Sequence, residues 1–134
     1  MRLVFDCNVL VRALLDDSSF SGHALEKAES TSCTLLISNP VLAEAIEVIT
    51  RPKFDRYISI DLIKLFLEEY KLRGLKIKIT RQVKACRDPN DDKYLELAFS
   101  GNADCIIIND PDLLALNPFE NIPIISPKDF LDRI

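Results

Sequence analysis

Hydrophobic and polar positions alternate along this chain with two different periods. Short apolar runs rich in Val, Ile and Leu fall at 2–6, 34–38, 76–79, 104–108 and 123–126, with the length and composition of buried strands. Between them, apolar residues recur three and four apart over 8–16, 22–30, 40–50, 60–73, 91–100, 111–116 and 127–133, the spacing of a helix face. Strands that alternate with helices predict a parallel sheet covered on both faces. The expected architecture is one α/β domain over 1–134, a three-layer α/β/α sandwich around a mostly parallel sheet of four to five strands. The run "KIKI" at 76–79 alternates charge with apolar residues, as an edge strand guarded by lysines does. Ser38-Asn39-Pro40, Asp110-Pro111 and Ser126-Pro127 place capping residues ahead of prolines, marking helix starts.

Composition narrows the class. A chain of 134 residues, 48% hydrophobic and 28% charged, is an ordinary globular domain with a real core. No apolar run approaches the roughly 20 residues of a membrane span, and the strand-like start at Arg2 predicts no signal peptide. Only three glycines occur, with no GxGxxG or GxxxxGK[ST] pattern, which argues against a glycine-rich phosphate loop. Cys7, Cys33, Cys86 and Cys105 are scattered without a CxxC pair, as expected of reduced thiols in a cytoplasmic protein. His23 is the only histidine, which excludes a two-histidine ribonuclease.

Net charge is −4, which does not advertise a nucleic-acid binder. The distribution is more telling than the total. Lys71, Arg73, Lys76, Lys78, Arg81, Lys84 and Arg87 form a basic run without an acid, and acids dominate from Asp88 onward. Such asymmetry suits a polyanion-facing surface beside an acidic site; a solvated helix end running into a guarded edge strand is the plainer use.

The acids recur at comparable places. Asp6 ends the first apolar run, with Asn8 just beyond it. Ligands of open α/β sheets bind outside the carboxyl ends of the strands, and the competing use of Asp6 is a helix cap. In 40–50, residues 41, 42, 45, 46, 48 and 49 share one apolar arc; Glu47 points away from it, and Glu44 falls on its margin near Val48. "CRDPNDDKYLELAF" opens a helix whose inward face is Tyr94, Leu95, Leu97, Ala98 and Phe99. Asp91 lies in line with that face and Asp92 at its edge, while Lys93 and Glu96 are expected to face solvent. "DCIIINDPDLL" breaks a strongly apolar strand at Asn109-Asp110-Pro111-Asp112. All four places lie on one rim of the expected sheet. Two carboxylates 4 Å apart repel by roughly 4 kcal/mol at an effective dielectric near 20, so the crowding calls for a compensating cation. Oxygen donors without a His or Cys cluster suit Mg²⁺ or Mn²⁺ rather than Zn²⁺.

These segments together resemble the PIN (PilT N-terminus) domain nucleases, especially VapC-like ribonucleases that act as toxins of toxin–antitoxin systems. "VFDCNVLV" looks like the family's opening strand with its acid and following Asn, and "ISNPVLAEAIEVITRPKF" like the segment holding the second acid. "CRDPNDDKYLELA" and "IINDPDLLAL" are similar to the third and fourth acidic motifs, and "IISPKDFL" to the closing strand and helix. The resemblance implies a single PIN-like domain with catalytic, metal-binding acids at Asp6, Glu44, Asp91 and Asp110. It also implies Asn8 supporting the first acid and Ser38 orienting Glu44. Counting back from the 104–108 strand selects Asp92 in place of Asp91, and Asp112 competes with Asp110. "IIIND" departs from the commoner Thr-Gly-Asp at the fourth motif, leaving the acid in place.

The expected function is therefore metal-dependent hydrolysis of RNA phosphodiester bonds by an endoribonuclease using Mg²⁺ or Mn²⁺. Arg51, Lys53, Arg56 or the 71–87 run would contact phosphates. By resemblance the partners are RNA, a small antitoxin protein and, as often in the family, a second copy of the chain; Phe66 and Leu67 are candidates for an interface. Two other readings fit less of the chain. One is a phosphatase with Asp6 as nucleophile, against which Asn8 stands where such enzymes favour a second aspartate. The other is a PIN-fold module that binds RNA or protein without cutting, although all four motifs keep an acid.

Overall fold

The computed structural model describes residues 1–133. Five strands, β1 (Arg2–Phe5), β2 (Thr34–Ile37), β3 (Leu75–Lys76), β4 (Cys105–Ile107) and β5 (Ile124–Ile125), form one sheet in the order β3-β2-β1-β4-β5. Every pairing is parallel. Around it lie α1 (Cys7–Leu15), α2 (Phe20–Ser30), α3 (Asn39–Ile49), α4 (Ile60–Arg73), α5 (Asp92–Ser100), α6 (Pro111–Leu114) and α7 (Pro127–Arg133). No helix among the described residues is long and apolar enough to cross a membrane.

The central strands are mainly apolar because both their faces are covered. Successive side chains of a strand point to opposite faces, and here they enter different clusters. Leu3, Phe5, Leu35, Ile37, Cys105 and Ile107 pack with α1, α2 and α7 residues such as Leu10, Ala24 and Phe130. Val4, Leu36, Ile106 and Ile108 pack on the other side with Tyr94, Leu95, Leu97 and Ala98 of α5. That is the expected three-layer sandwich. The caps expected from sequence form: the hydroxyls of Ser38 and Ser126 accept from Val41 N at 3.3 Å and Asp129 N at 3.2 Å.

The edge strand is shorter than "KIKI" suggests. Pairing covers only Leu75–Lys76, followed by one further bond from Ile77 N to Ile37 O at 2.7 Å. The chain then peels away and runs along α5 as an irregular strap. Three α5 side chains four residues apart fasten it. Ser100 Oγ accepts from Thr80 N at 2.9 Å and Glu96 Oε2 from Val83 N at 2.9 Å. Asp92 Oδ1 accepts from Ala85 N at 3.1 Å and Cys86 N at 2.8 Å. Glu96, expected to face solvent, is thus drawn to the strap because the strap's amides have no strand partner there. Arg81 packs over the Phe99 ring at 4.2 Å and pairs with Glu120 at 2.7 Å.

The topology decides where a ligand can bind. The chain adds β2 and β3 on one side of β1, then crosses back so that β4 lands on the other side. Ligand crevices of open parallel sheets form at such a switch point, outside the carboxyl ends. Here that place lies between the ends of β1 and β4. The central position of β4 also sets an energetic expectation. Ile107 is fully buried, paired to Phe5 and Ile125. Ile107→Ala should cost about 2–5 kcal/mol in urea unfolding, whereas Leu62→Ser on the exposed side of α4 should shift stability by less than about 0.5 kcal/mol.

Candidate active site

Asp6 is the first residue past β1 and the cap of α1. Its backbone N–H still donates to Ile107 O at 3.1 Å, which keeps it level with β4, and its Oδ1 accepts from Asn8 N at 3.1 Å. The carboxyl is only 4% exposed. Burial, and then the charges of Glu44, Asp91 and Asp110, push Asp6 up to about 6 against the pull of the Asn8 amide. Asn8 meets Asp6 through this backbone N–H; its own residue is exposed.

Asp110 occupies the equivalent place beyond β4. It caps α6, its Oδ1 accepting from Asp112 N at 2.9 Å. Asp112 is exposed and lies 3.9 Å from Arg87. Asp91 ends the short 3₁₀ turn Pro89–Asp91 and enters α5 with no capping bond from its side chain. Burial and the charges of Asp88, Asp110 and Glu44 raise Asp91 to about 6, with Lys93 opposing. Asp91 and Asp92 therefore separate by geometry. Asp91 shares its field with the other acids, while Asp92 is 8% exposed and turned to the strap amides. Burial works against the Asp92 charge, but the Cys86 and Ala85 N–H groups hold its carboxyl below the ordinary value.

Glu44 comes from the second turn of α3 and is held at both oxygens. Its Oε1 accepts from the Tyr94 hydroxyl and from the Cys7 thiol, the latter at 3.2 Å. Its Oε2 accepts from Lys93 Nζ at 2.7 Å. Burial pushes Glu44 up, but Lys93, Tyr94 and Cys7 outweigh it and keep the carboxyl below its ordinary value. Tyr94 also accepts from Cys7 N at 3.2 Å, so one phenol ties α5, α1 and α3 together. Burial raises the Cys7 thiol to about 12, which keeps it a proton donor. Ser38, expected to orient Glu44, instead caps α3, and the orienting groups are Lys93, Tyr94 and Cys7.

Four side chains escaped the sequence reading. Tyr94 sorts with the apolar face, Cys7 reads as a small core residue, and Lys93 was expected to face solvent. In the structure the Lys93 side chain is only 19% exposed and paired with Glu44. Arg12 is the fourth. With Ser18, Ser19, Ser21, His23 and Asn109 it lines a cavity of about 380 Å³ beside the end of β4. Of the expected phosphate contacts at 51–56, Lys53 and Arg56 line a separate surface depression with Pro52, Asp55 and Tyr57. Arg51 lies just past the end of α3, is paired with Glu47 at 2.8 Å and also feels the charge of Glu44.

The donor set facing the rim is all oxygen, which suits a hard divalent cation. As they stand, no three carboxylates, thiols or imidazoles among the described residues cluster closely enough to hold a metal ion.

A small parallel α/β domain with acids gathered at its topological switch point defines the class. The PIN domain profile matches residues 2–112, and the chain belongs to the PIN domain family. An uncharacterized protein of Methanocaldococcus jannaschii is 24% identical, the alignment covering 99% of this chain and 91% of that one. A chain of the crystal structure of VapBC2 from Rickettsia felis, bound to a DNA fragment from their promoter, superposes with a TM-score of 0.61 and 18% identity. That match covers 94% of this chain and 98% of the other, and it establishes the shared fold.

Two predictions follow from these fields. Asp6 and Asp91 hold protons more tightly folded than an unfolded aspartate near 3.9 does. Their contribution to stability is therefore present at low pH and lost as pH rises through about 6. Glu44 has the opposite sign but titrates below its ordinary range, so it is constant above pH 5 or so. In EDTA the protein should be less stable at pH 7.5 than at pH 5, Asp6 contributing more than the less buried Asp91; urea curves that coincide at the two pH values would show that neither acid is raised. At pH 7.5, Asp92→Ala should destabilise by about 2 kcal/mol through the two orphaned strap amides, while Asp91→Asn should stabilise the metal-free protein. Equal effects of the two in the same unfolding assay would refute the separate roles.

Proposed function

We propose that the protein is a divalent-metal-dependent endoribonuclease and the toxin of a toxin–antitoxin pair. The observation that carries this reading is the convergence of Asp6, Glu44, Asp91 and Asp110 on one rim at the β1/β4 switch point of a PIN domain. Asp6, Asp91 and Asp110 would hold Mg²⁺ or Mn²⁺, with Glu44 beside them. Such an ion polarises a phosphate and lowers the pKa of an attacking water. The protein's own part is to hold the acids in place. One oxygen each of Asp6 and Asp110 is fixed by a capping bond, and Tyr94 and Cys7 fix Glu44. Because Asp6 and Asp91 are raised to about 6, a cation entering below that pH displaces protons, which makes its affinity rise with pH up to about neutrality.

The RNA backbone would lie along the rim into the cavity of Arg12, Ser18, Ser21 and His23, where an arginine and hydroxyls suit a phosphodiester, with Asp16 of the same cavity beside Arg12. The structural likeness to a VapBC2 chain supports a small antitoxin as partner, with both acting in the cytoplasm. A homodimer belongs to the same reading. The residues that support it are Leu62, Leu65 and Leu72, exposed along α4, rather than Phe66 and Leu67, which pack against the core.

The test is cleavage of a panel of single-stranded and structured RNAs with Mg²⁺, Mn²⁺ or EDTA. Wild type should cut only with metal, Asp6→Asn should lose more than about 100-fold in rate, and Arg12→Ala should raise KM with a smaller change in kcat. Cutting that persists in EDTA or in Asp6→Asn would sink the mechanism, and absence of cutting in any metal would favour a binding module.

A further inference from the structure

Lys93 sits where a lysine is unfavourable twice over. It is in the first turn of α5, at the positive end of the helix dipole, where cations are disfavoured and acids favoured. Its side chain is also only 19% exposed, and lysines are rarely withdrawn from water unless paired. Both costs are offset by one partner. Lys93 Nζ donates to Glu44 Oε2 at 2.7 Å, while the other Glu44 oxygen is taken by Tyr94 and Cys7. The ammonium also lowers the neighbouring Asp91 electrostatically. A positive charge thus already stands among the acids.

We propose that Lys93 is the resident counter-ion of the acid cluster, a built-in competitor that holds Glu44 in the metal-free protein and gives up Oε2 when a divalent cation engages that carboxylate. Its flexible four-carbon stem then leaves the ammonium at the rim to meet a phosphate of the substrate. This rests on the reading of the rim as a divalent-metal site, and it assigns a role to a residue outside the four acids.

The experiment is calorimetric titration of Mn²⁺ into the metal-free full chain, which requires no RNA and no turnover. Lys93→Met keeps the stem and removes the charge, and should bind Mn²⁺ at least about tenfold tighter than wild type. Lys93→Arg keeps the charge and should stay within about threefold of wild type. In a Glu44→Gln background the ammonium has lost its charged partner, so adding Lys93→Met should change affinity by less than about threefold. In EDTA at pH 7.5, Lys93→Met should also melt about 4 °C below wild type, with Mn²⁺ restoring more stability than it adds to wild type. A folded Lys93→Met that binds Mn²⁺ as wild type does, or more weakly, overturns the proposal while leaving the metal site standing. The same gain in the Glu44→Gln background overturns it too. Failure of wild type and Lys93→Met alike to bind Mn²⁺ overturns the metal-site reading and this proposal with it.

Discussion

Repulsion among carboxylates on one rim is the constraint that orders the rest of this molecule. A parallel sheet sends all its strands' carboxyl ends to the same side, and the order β3-β2-β1-β4-β5 makes β1 and β4 neighbours. Asp6 and Asp110 are therefore adjacent by topology. Glu44 and Asp91 are then added from the helices that descend on either side. Nothing in the backbone can relieve this without dismantling the sheet. The relief is local and comes in three forms: Asp6 and Asp91 are raised toward the neutral form, Glu44 is surrounded by donors, and Lys93 brings a positive charge.

Helix α5 connects that electrostatic problem to the fold. Its apolar side, with Leu95, Leu97 and Ala98 fully buried, covers one face of the sheet. A second face carries Asp92, Glu96 and Ser100, one turn apart, which take the strap's amides. Its first turn delivers Lys93 and Tyr94 to Glu44. A helix anchored on three sides has little freedom to slide, so the acids it positions do not drift apart under their mutual repulsion. The strap in turn needs α5, because its backbone has no ladder after Ile77.

The elements were legible because their signals are redundant. Apolar runs and helical periodicity mark the five strands and seven helices of the described residues, caps ahead of prolines reinforce three of the helix starts, and the boundaries differ by about a turn or less. The edge strand was over-read since alternation records only which residues face outward, while pairing ends where the partner strand β2 ends at Ile37. Within the site, the acids were visible as charges out of place, and the donors were not. Tyr94 is 1% exposed, and its ring satisfies the apolar pattern while its hydroxyl does the polar work. Lys93 falls on the outward side of a helical wheel, which ignores a stem long enough to carry the ammonium back over the helix start. The choice between Asp91 and Asp92 depended on the strap, a segment without periodicity and so invisible to pattern reading.

Capping and ligation look like rival uses of an aspartate at a strand end, and under the proposed function they are compatible uses of the same residue. Asp6 and Asp110 each cap a helix through Oδ1. A carboxylate has two oxygens, so the cap occupies one and fixes the rotamer of the other. A side chain already locked in this way loses little further entropy when it engages a cation, which is the physical meaning of preorganisation. Asp91, with no capping bond, lacks that restraint and depends on the turn at Pro89 and the anchoring of α5 instead. The rim thus combines two rigid acids with two that are adjustable, Asp91 and the Lys93-held Glu44, and under the proposed function such a site would engage a cation without moving the sheet.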